Sequence, residues 1–147
     1  MSIRNLLLVT LFAGTASSVL AAGNTPPEIA RYLKKQGPVI QHRVFLSGAS
    51  DQIVVNFCVD ENLEGGANEG ASSPANVHCE AALFNRKGKW VFANQVSIGQ
   101  GSISEFANGK VRGEAVTYAP EDPLCCPSKK KRLAFSTEGG KLVADPQ

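Results

Sequence analysis

The stretch that decides the fold is residues 77–98, which read VHCEAALFNRKGKWVFANQVSI. Its two halves are runs in which apolar and polar residues alternate, and they flank the turn Asn85-Arg86-Lys87-Gly88. Alternation with a period of two is typical of strands, and a short polar turn ending in glycine is typical of a hairpin. We therefore predict an antiparallel pair of strands at residues 77–84 and 89–98.

The alternation also predicts which side chains of this hairpin face the core, because successive side chains of a strand point to opposite faces of the sheet. The inward set of the first strand is predicted to be Val77, Cys79, Ala81 and Leu83. The inward set of the second strand is predicted to be Trp90, Phe92, Val96 and Ile98, with Lys89, Gln95 and Ser97 facing solvent.

Further strands are predicted on both sides of this hairpin. Downstream, Asn108-Gly109 joins residues 102–106 to residues 110–118, and Gly139-Gly140 closes a last hairpin from Leu133 to Val143. Upstream, β-branched residues dominate residues 39–46 and 52–59, where Ile53, Val55 and Phe57 share a face. A polar loop, residues 60–76, separates them from the central hairpin. Consecutive hairpins of this kind predict an antiparallel meander of seven to eight strands.

One helix is predicted before the strands, at about residues 25–36. Thr25-Pro26-Pro27-Glu28 has the spacing of a capping box with proline at the first helical position, and Gly37-Pro38 ends the pattern. The predicted fold class is therefore α+β and mostly β, with an N-terminal helix packed on a twisted antiparallel meander.

The N-terminal residues have the pattern of a secretory signal peptide. Arg4 precedes a short apolar core, and small residues follow up to Ala22. We expect residues 1–22 to be a signal peptide and residues 23–147 to form a single periplasmic domain. The apolar core is shorter than the roughly 20 residues that span a bilayer, and the first cysteine is Cys58, so neither a transmembrane segment nor a lipid anchor is expected.

The charge of the chain bounds its partners. The formal net charge is +2, and removal of Arg4 with the signal peptide leaves +1. A nearly neutral exported domain carries no general signal for nucleic acid, so no nucleic-acid partner is expected.

The chain has four cysteines, an even number that suits disulfides in an oxidising compartment. Cys58 ends one predicted strand and Cys79 begins the next, so antiparallel pairing favours a bridge between them. Cys125 and Cys126 are adjacent, and a bridge between them would set a rigid turn or act as a reducible redox pair. Crossed pairing of Cys125 and Cys126 with Cys58 and Cys79 remains an alternative.

A resemblance is carried by the run Asp122-Pro123-Leu124-Cys125-Cys126-Pro127-Ser128, with Tyr118 before it and a Gly-Gly-Lys-Leu-Val ending after it. This run resembles the C-terminal signature of the group of small exported bacterial proteins that includes the mycobacterial lipoproteins LppP and LprE. The resemblance covers the second half of the predicted mature chain, and Asn85-Arg86-Lys87-Gly88 is similar to a turn of that group. The chain departs from the group in lacking a lipid-attachment cysteine and an aspartate-rich loop at residues 45–51. The resemblance implies an exported protein and no particular chemistry.

The sequence carries none of the common catalytic motifs, such as G-x-S-x-G, H-E-x-x-H or a phosphate-binding loop. His42 and His78 lie in predicted strands without a motif around them, so we predict a non-enzymatic protein with no catalytic residues and no cofactor. Residues 60–65 resemble the opening of a calcium-binding loop, but the twelfth position is Ala71 in place of the bidentate glutamate. No metal site is therefore predicted.

The densest charge cluster is Lys129, Lys130, Lys131 and Arg132, named here the basic segment. Such a cluster either solubilises a strand or binds an anionic partner. The first functional hypothesis is a periplasmic binding module that recognises another protein or an anionic envelope component, in an inhibitor, immunity or accessory role. The alternative hypothesis is a thiol-disulfide redox participant or sensor that uses Cys125 and Cys126.

Overall fold

A computed structural model describes residues 18–20, 25–49, 51–61, 77–123 and 126–146. In this part of the chain the protein is mostly β, with eight strands in one antiparallel sheet, each paired with the next along the sequence. The strands are β1 Ser18–Leu20, β2 Val39–Leu46, β3 Gln52–Asp60, β4 Val77–Lys87, β5 Lys89–Ala107, β6 Lys110–Thr117, β7 Lys129–Ser136 and β8 Val143–Ala144. The predicted antiparallel meander is confirmed.

The predicted signal peptide and the predicted loop at residues 60–76 lie largely outside the described residues. The strand β1 lies within the predicted signal peptide, whose remaining residues lie outside the described part of the chain. Residues 62–76 of the predicted loop also lie outside it. None of the helices formed by the described residues is long and apolar enough to cross a membrane.

The helix α1 spans Pro27–Lys34, which is shorter at both ends than the predicted helix. The N-cap residue is Pro26, and its extended conformation offers no side-chain hydrogen bond to the first turn. Pro27 occupies the first helical position, where a missing N–H costs nothing. Ile29 and Leu33 are buried in a cluster with side chains of β2, β3 and β4, so this face of the helix is anchored by apolar contact.

The longest strand, β5, unites two segments that were predicted to be separate strands. It runs for 19 residues, pairing first with β4 and then, from Gln100 onward, with β6. At Gly101 a side chain has no room, because a Cβ would lie 2.6 Å from the carbonyl oxygen of Ile98. A register shift between Cys79 and Glu80 of β4 accompanies this point of the strand. Since such irregularities bend a strand, the sheet can fold back on itself here.

The larger core cluster lies between the two parts of the folded sheet. Phe45 and Val54 contribute from the first part, and Phe106, Val111 and Phe135 contribute from the second. The buried side chain of Asn56 joins the two parts, because its Oδ1 accepts a hydrogen bond of 3.0 Å from the backbone N–H of Ile103.

The strand β3 is buried on both faces, so that Ile53 and all later residues of the strand are shielded from solvent. Val55 and Phe57 belong to the smaller cluster beside α1, whereas Val54 and Cys58 belong to the larger cluster. The predicted shared face of Ile53, Val55 and Phe57 is therefore confirmed, and the opposite face of the same strand forms a second core.

The predicted core position of Phe92 is wrong, because 43% of this residue is exposed. Phe84 pairs with Phe92 but Leu83 pairs with Asn94, so Ala93 is an extra residue that forms a bulge. An extra residue reverses the alternation of the side chains that follow it, up to the next irregularity in the strand. Trp90 therefore packs against the smaller cluster beside α1, whereas Val96 and the buried Ile98 pack into the larger one.

The turn at Asn108-Gly109 matches its prediction. Both residues have positive φ, 50° for Asn108 and 70° for Gly109, which two-residue turns between twisted strands require. The turn joins β5 to β6 with Ala107 and Lys110 as the closing pair.

Candidate partner-binding surface

The basic segment forms the first half of β7. Its four residues are all exposed, and each is paired with a residue of β6, from Thr117 opposite Lys129 to Glu114 opposite Arg132. On the other side of β7, the strand β8 pairs only with Phe135 and Ser136 among the described residues. The basic segment is therefore held in an extended conformation near an edge of the sheet.

Because the basic segment is a strand, its charges divide between two faces of the sheet. Lys129 and Lys131 share the face on which Leu133 and Phe135 are buried further along the strand. Lys130 and Arg132 lie on the other face. The sequence alone identified one continuous cluster of charge, and the strand divides it into two pairs.

Few acidic groups neutralise these charges. Lys130 Nζ lies 3.8 Å from Glu114 Oε2, and both side chains are largely exposed, so solvent weakens this ion pair. Within the described part of the chain, no carboxylate lies within 4.0 Å of the charged groups of the other three residues. The surface therefore carries a net positive potential that favours an anionic partner.

The turn that leads into β7 is held by Asp122. Its Oδ2 accepts hydrogen bonds from the backbone N–H groups of Ala119 and Ser128, both at 2.7 Å, and its Oδ1 accepts one from the Ser128 hydroxyl at 2.6 Å. The first and last residues of the signature 122–128 therefore close this turn on each other, a role that Asp commonly plays in loops.

These hydrogen bonds lower the pKa of Asp122, with the Ser128 hydroxyl as the largest cause and the two backbone N–H groups next. A carboxylate whose pKa is lowered on folding stabilises the fold above its ordinary value of 3.8, and this contribution is lost as the pH falls through the lowered value. Asp122 is therefore ionised across the neutral range, where its carboxylate accepts these hydrogen bonds.

The predicted disulfide between Cys58 and Cys79 is confirmed, with an S–S distance of 2.06 Å. The two residues are directly opposite in the β3–β4 register and both are buried. Gln41 donates a hydrogen bond of 3.1 Å from Nε2 to Cys58 Sγ. Cys126 is also disulfide-bonded and is exposed, whereas Cys125 and the geometry of its predicted bridge lie outside the described residues.

An open cleft of about 570 Å³ lies beside the basic segment. Lys130 and Glu114 line it from β7 and β6, Ser102 from β5 and Gln41 from β2. Cys79 of the disulfide lies in its wall. Polar side chains from four strands therefore converge next to the basic segment and could hydrogen-bond to a partner that occupies the cleft.

The titratable groups near α1 form a second polar region. Burial raises the pKa of Glu80, while the nearby His78 and a hydrogen bond with Ser97 oppose this shift. Burial, with the charge of Glu80 as a smaller cause, raises the pKa of Tyr32 to about 12, so this phenol stays neutral at physiological pH. His78 Nδ1 lies 3.4 Å from Glu61 Oε1, and both side chains are well exposed to solvent.

The sequence raised two kinds of candidate site, a metal site and the two histidines, and part of the calcium-like loop lies outside the described residues. The described residues hold no group of three or more His, Cys, Asp and Glu side chains placed to bind a metal ion. Asp60, the first residue of the calcium-like loop, is buried at the end of β3, whereas residues 62–71 lie outside the described part. His42 lies on β2, away from His78 on β4.

Sequence reasoning missed a second surface because it assigned Trp90 and Phe92 to the core. These residues lie with Tyr32 and Phe84 in a groove between α1 and the β4–β5 hairpin. The available signal was the run of basic residues before the aromatic ones, RKGKWVF at residues 86–92. A segment in which several basic residues directly precede aromatic ones is more typical of an exposed surface than of the core.

Comparison of the chain with protein-family models, with curated proteins and with solved structures finds no match. The resemblance to the LppP and LprE group therefore depends on the residues quoted for it, above all those from Asp122 to Ser128. The contacts of Asp122 give those residues a structural reason that is independent of any relative.

Proposed function

We propose that this protein is an exported, non-enzymatic binding module that recognises an anionic partner through the basic segment. The partner is the acidic face of another protein or an anionic component of the cell envelope. The observation that supports this proposal is the display of four consecutive exposed cations on a paired strand, of which only Lys130 has a carboxylate nearby in the described part of the chain.

Rigidity supports the same proposal. The strand register with β6 and the hydrogen bonds of Asp122 hold the backbone before binding, so little conformational entropy is lost when a partner docks. The cleft lined by Lys130, Glu114 and Gln41 adds polar groups that can specify a partner beyond its charge. The charges also protect the edge of the sheet against pairing with other strands, so solubility is the competing explanation.

The division of the basic segment between two faces allows a sharp test by charge reversal. We expect the double variant Lys129→Glu, Lys131→Glu to weaken capture of periplasmic proteins by the immobilised protein about tenfold, the equivalent of ~1.4 kcal/mol. We expect a smaller effect for Lys130→Glu, Arg132→Glu, because Glu114 already partly neutralises Lys130. Capture is measured by quantitative mass spectrometry of a periplasmic extract, and it should fall as salt rises.

The matched control is Lys87→Glu with Lys141→Glu, which makes the same change of charge at two exposed residues outside the basic segment. All variants should unfold at the same denaturant concentration as the wild type, because exposed charges contribute little to stability. If both basic-segment variants are folded and capture the same proteins and the same amount of phosphate-bearing envelope material as the wild type, the basic segment only protects the sheet edge and the proposal is wrong.

A redox role is the second candidate function, and the exposed disulfide at Cys126 favours it over a role for the buried Cys58 and Cys79. Glutathione buffers poised at about −200 mV, followed by alkylation and mass spectrometry, separate the two functions. A binding module is expected to keep all its cysteines oxidised. Reduction of the Cys126 disulfide by glutathione at this potential, detected as an alkylated Cys126 and reversed by oxidised glutathione, would support the redox function instead.

A further inference from the structure

The groove between α1 and the β4–β5 hairpin has an aromatic floor. Tyr32 stacks on Phe92 with ring centroids 5.0 Å apart, and both rings contact Phe84 edge-on at 5.1 and 5.8 Å. Phe92 is nevertheless 43% exposed and Val91 37% exposed. Trp90 lines the same groove, which has a volume of about 510 Å³. We name it the aromatic groove.

Cations surround the aromatic groove. Its exposed positive side chains are Arg31 and Lys34 from α1, Lys35 directly after the helix and Lys89 from β5, and Glu28 is the one acidic residue among those that line it. The adjoining hairpin adds Arg86, whose guanidinium lies 5.5 Å from the centre of the Trp90 ring, and the exposed Lys87. Positive charge therefore exceeds negative charge several-fold around an apolar centre.

The tip of the β4–β5 hairpin is exposed to solvent. Lys87 and Lys89 are the closing pair of this hairpin. Gly88 between them has φ +73°, and a Cβ added at this residue would have no other atom within 4 Å. All four residues from Arg86 to Lys89 are exposed. The exposed cations at this tip therefore lie directly beside the aromatic residues of the groove.

The aromatic groove lies at the start of β5, whereas the basic segment lies on β7, which β6 connects to a later part of β5. Lys130 is paired with Val116, which is paired with Gln100, whereas Trp90 lies ten positions earlier in the same strand. At roughly 3.3 Å per residue, this separates the two surfaces by a large part of the length of the sheet. A partner at one surface can therefore leave the other free.

We propose that the aromatic groove docks the protein on an anionic phospholipid bilayer. Aromatic side chains favour the interfacial zone of a bilayer, where the ring contacts the acyl boundary, and Lys and Arg reach the phosphates from longer side chains. Basic residues near an anionic membrane surface contribute about 1 kcal/mol each, or about fivefold in affinity. The exposed Val91 and Phe92 would contact the acyl boundary, and the cations around them would reach the phosphates.

The test uses Trp90, the single tryptophan of the chain, as the reporter. The protein is purified from expressing cells without further truncation. It is then titrated with vesicles of phosphatidylglycerol and phosphatidylcholine, or with vesicles of phosphatidylcholine alone. We expect a blue shift of the emission with the anionic vesicles and quenching by brominated acyl chains in them. Phosphatidylcholine vesicles and soluble glycerophosphoglycerol should cause no shift.

Two variants and a matched control show whether the aromatic groove is responsible. Lys34→Gln with Lys35→Gln should lower the affinity for anionic vesicles roughly 25-fold, because two basic residues each contribute about fivefold. Phe92→Ser should reduce quenching by the brominated chains. Arg43→Gln with Arg112→Gln removes the same charge at exposed residues of β2 and β6, outside both the aromatic groove and the basic segment, and should leave vesicle binding unchanged.

Three results would overturn the proposal. The first is no shift with anionic vesicles, and the second is equal binding by the wild type and the Lys34, Lys35 variant. The third is a shift with polyglutamate but not with vesicles, which would assign the aromatic groove to an acidic peptide. None of these results bears on the basic segment, whose proposed function is tested by capture of proteins.

Discussion

Replacement of Phe106 with alanine is expected to lower the free energy of unfolding by about 3–5 kcal/mol, a range typical of a fully buried phenylalanine. Phe106 is completely buried, near the end of β5, in the core cluster that joins the two parts of the folded sheet. A cavity at this point removes contacts with both parts. Because small domains have only about 5–15 kcal/mol of stability in total, the loss should be plain in urea unfolding followed by circular dichroism.

The matched control is Phe92→Ala on the same strand. Phe92 is 43% exposed and keeps contact mainly with Tyr32 and Phe84, so its removal should cost only about 1 kcal/mol. Equal destabilisation by the two variants would contradict the reversal of alternation at Ala93. It would place Phe92 in the core, as the sequence pattern alone predicted.

The second large effect is expected from the double variant Cys58→Ala, Cys79→Ala. The disulfide closes a segment with a sequence separation of 21, and a bridge of that span restricts the unfolded chain by an amount equivalent to about 3 kcal/mol. Alanine is chosen because both positions are buried, where a serine hydroxyl would add its own desolvation cost. Urea unfolding of the variant and of the wild type measures the difference.

The far-ultraviolet circular dichroism spectrum of the folded variant is the control, because it shows whether the sheet still forms. The register of β3 with β4 comprises nine pairs in all, six on one side of the cysteine pair and two on the other, so the sheet should form without the bridge and the far-ultraviolet spectrum should not change. A loss of less than about 1 kcal/mol would show that the unfolded chain is already compact around residues 58–79, since the bridge would then restrict little.

Much of the candidate surface could be predicted from the sequence, and its arrangement could not. The basic segment and the signature around Asp122 are contiguous in the chain, so both are visible as patterns. The strand pairing with β6 divides the basic segment between two faces, and the closure of the turn depends on hydrogen bonds from Asp122 to Ser128. The aromatic groove escaped prediction because it combines residues of α1 with residues of β5.

Local patterns determined most of the topology of this protein. Alternating apolar residues and the turn at Asn108-Gly109 were enough to predict the antiparallel meander, because strand pairing between neighbours in sequence needs only local turns. The same pairing predicted the disulfide between Cys58 and Cys79. Only the tertiary structure decided that β5 is continuous, that it bends near Gly101, and that the bulge at Ala93 exposes Phe92. A one-residue irregularity changes the face of the side chains that follow it, and next to this bulge Asn94 is hydrogen-bonded to the backbone of Leu142, a contact between residues distant in sequence that local patterns do not reveal.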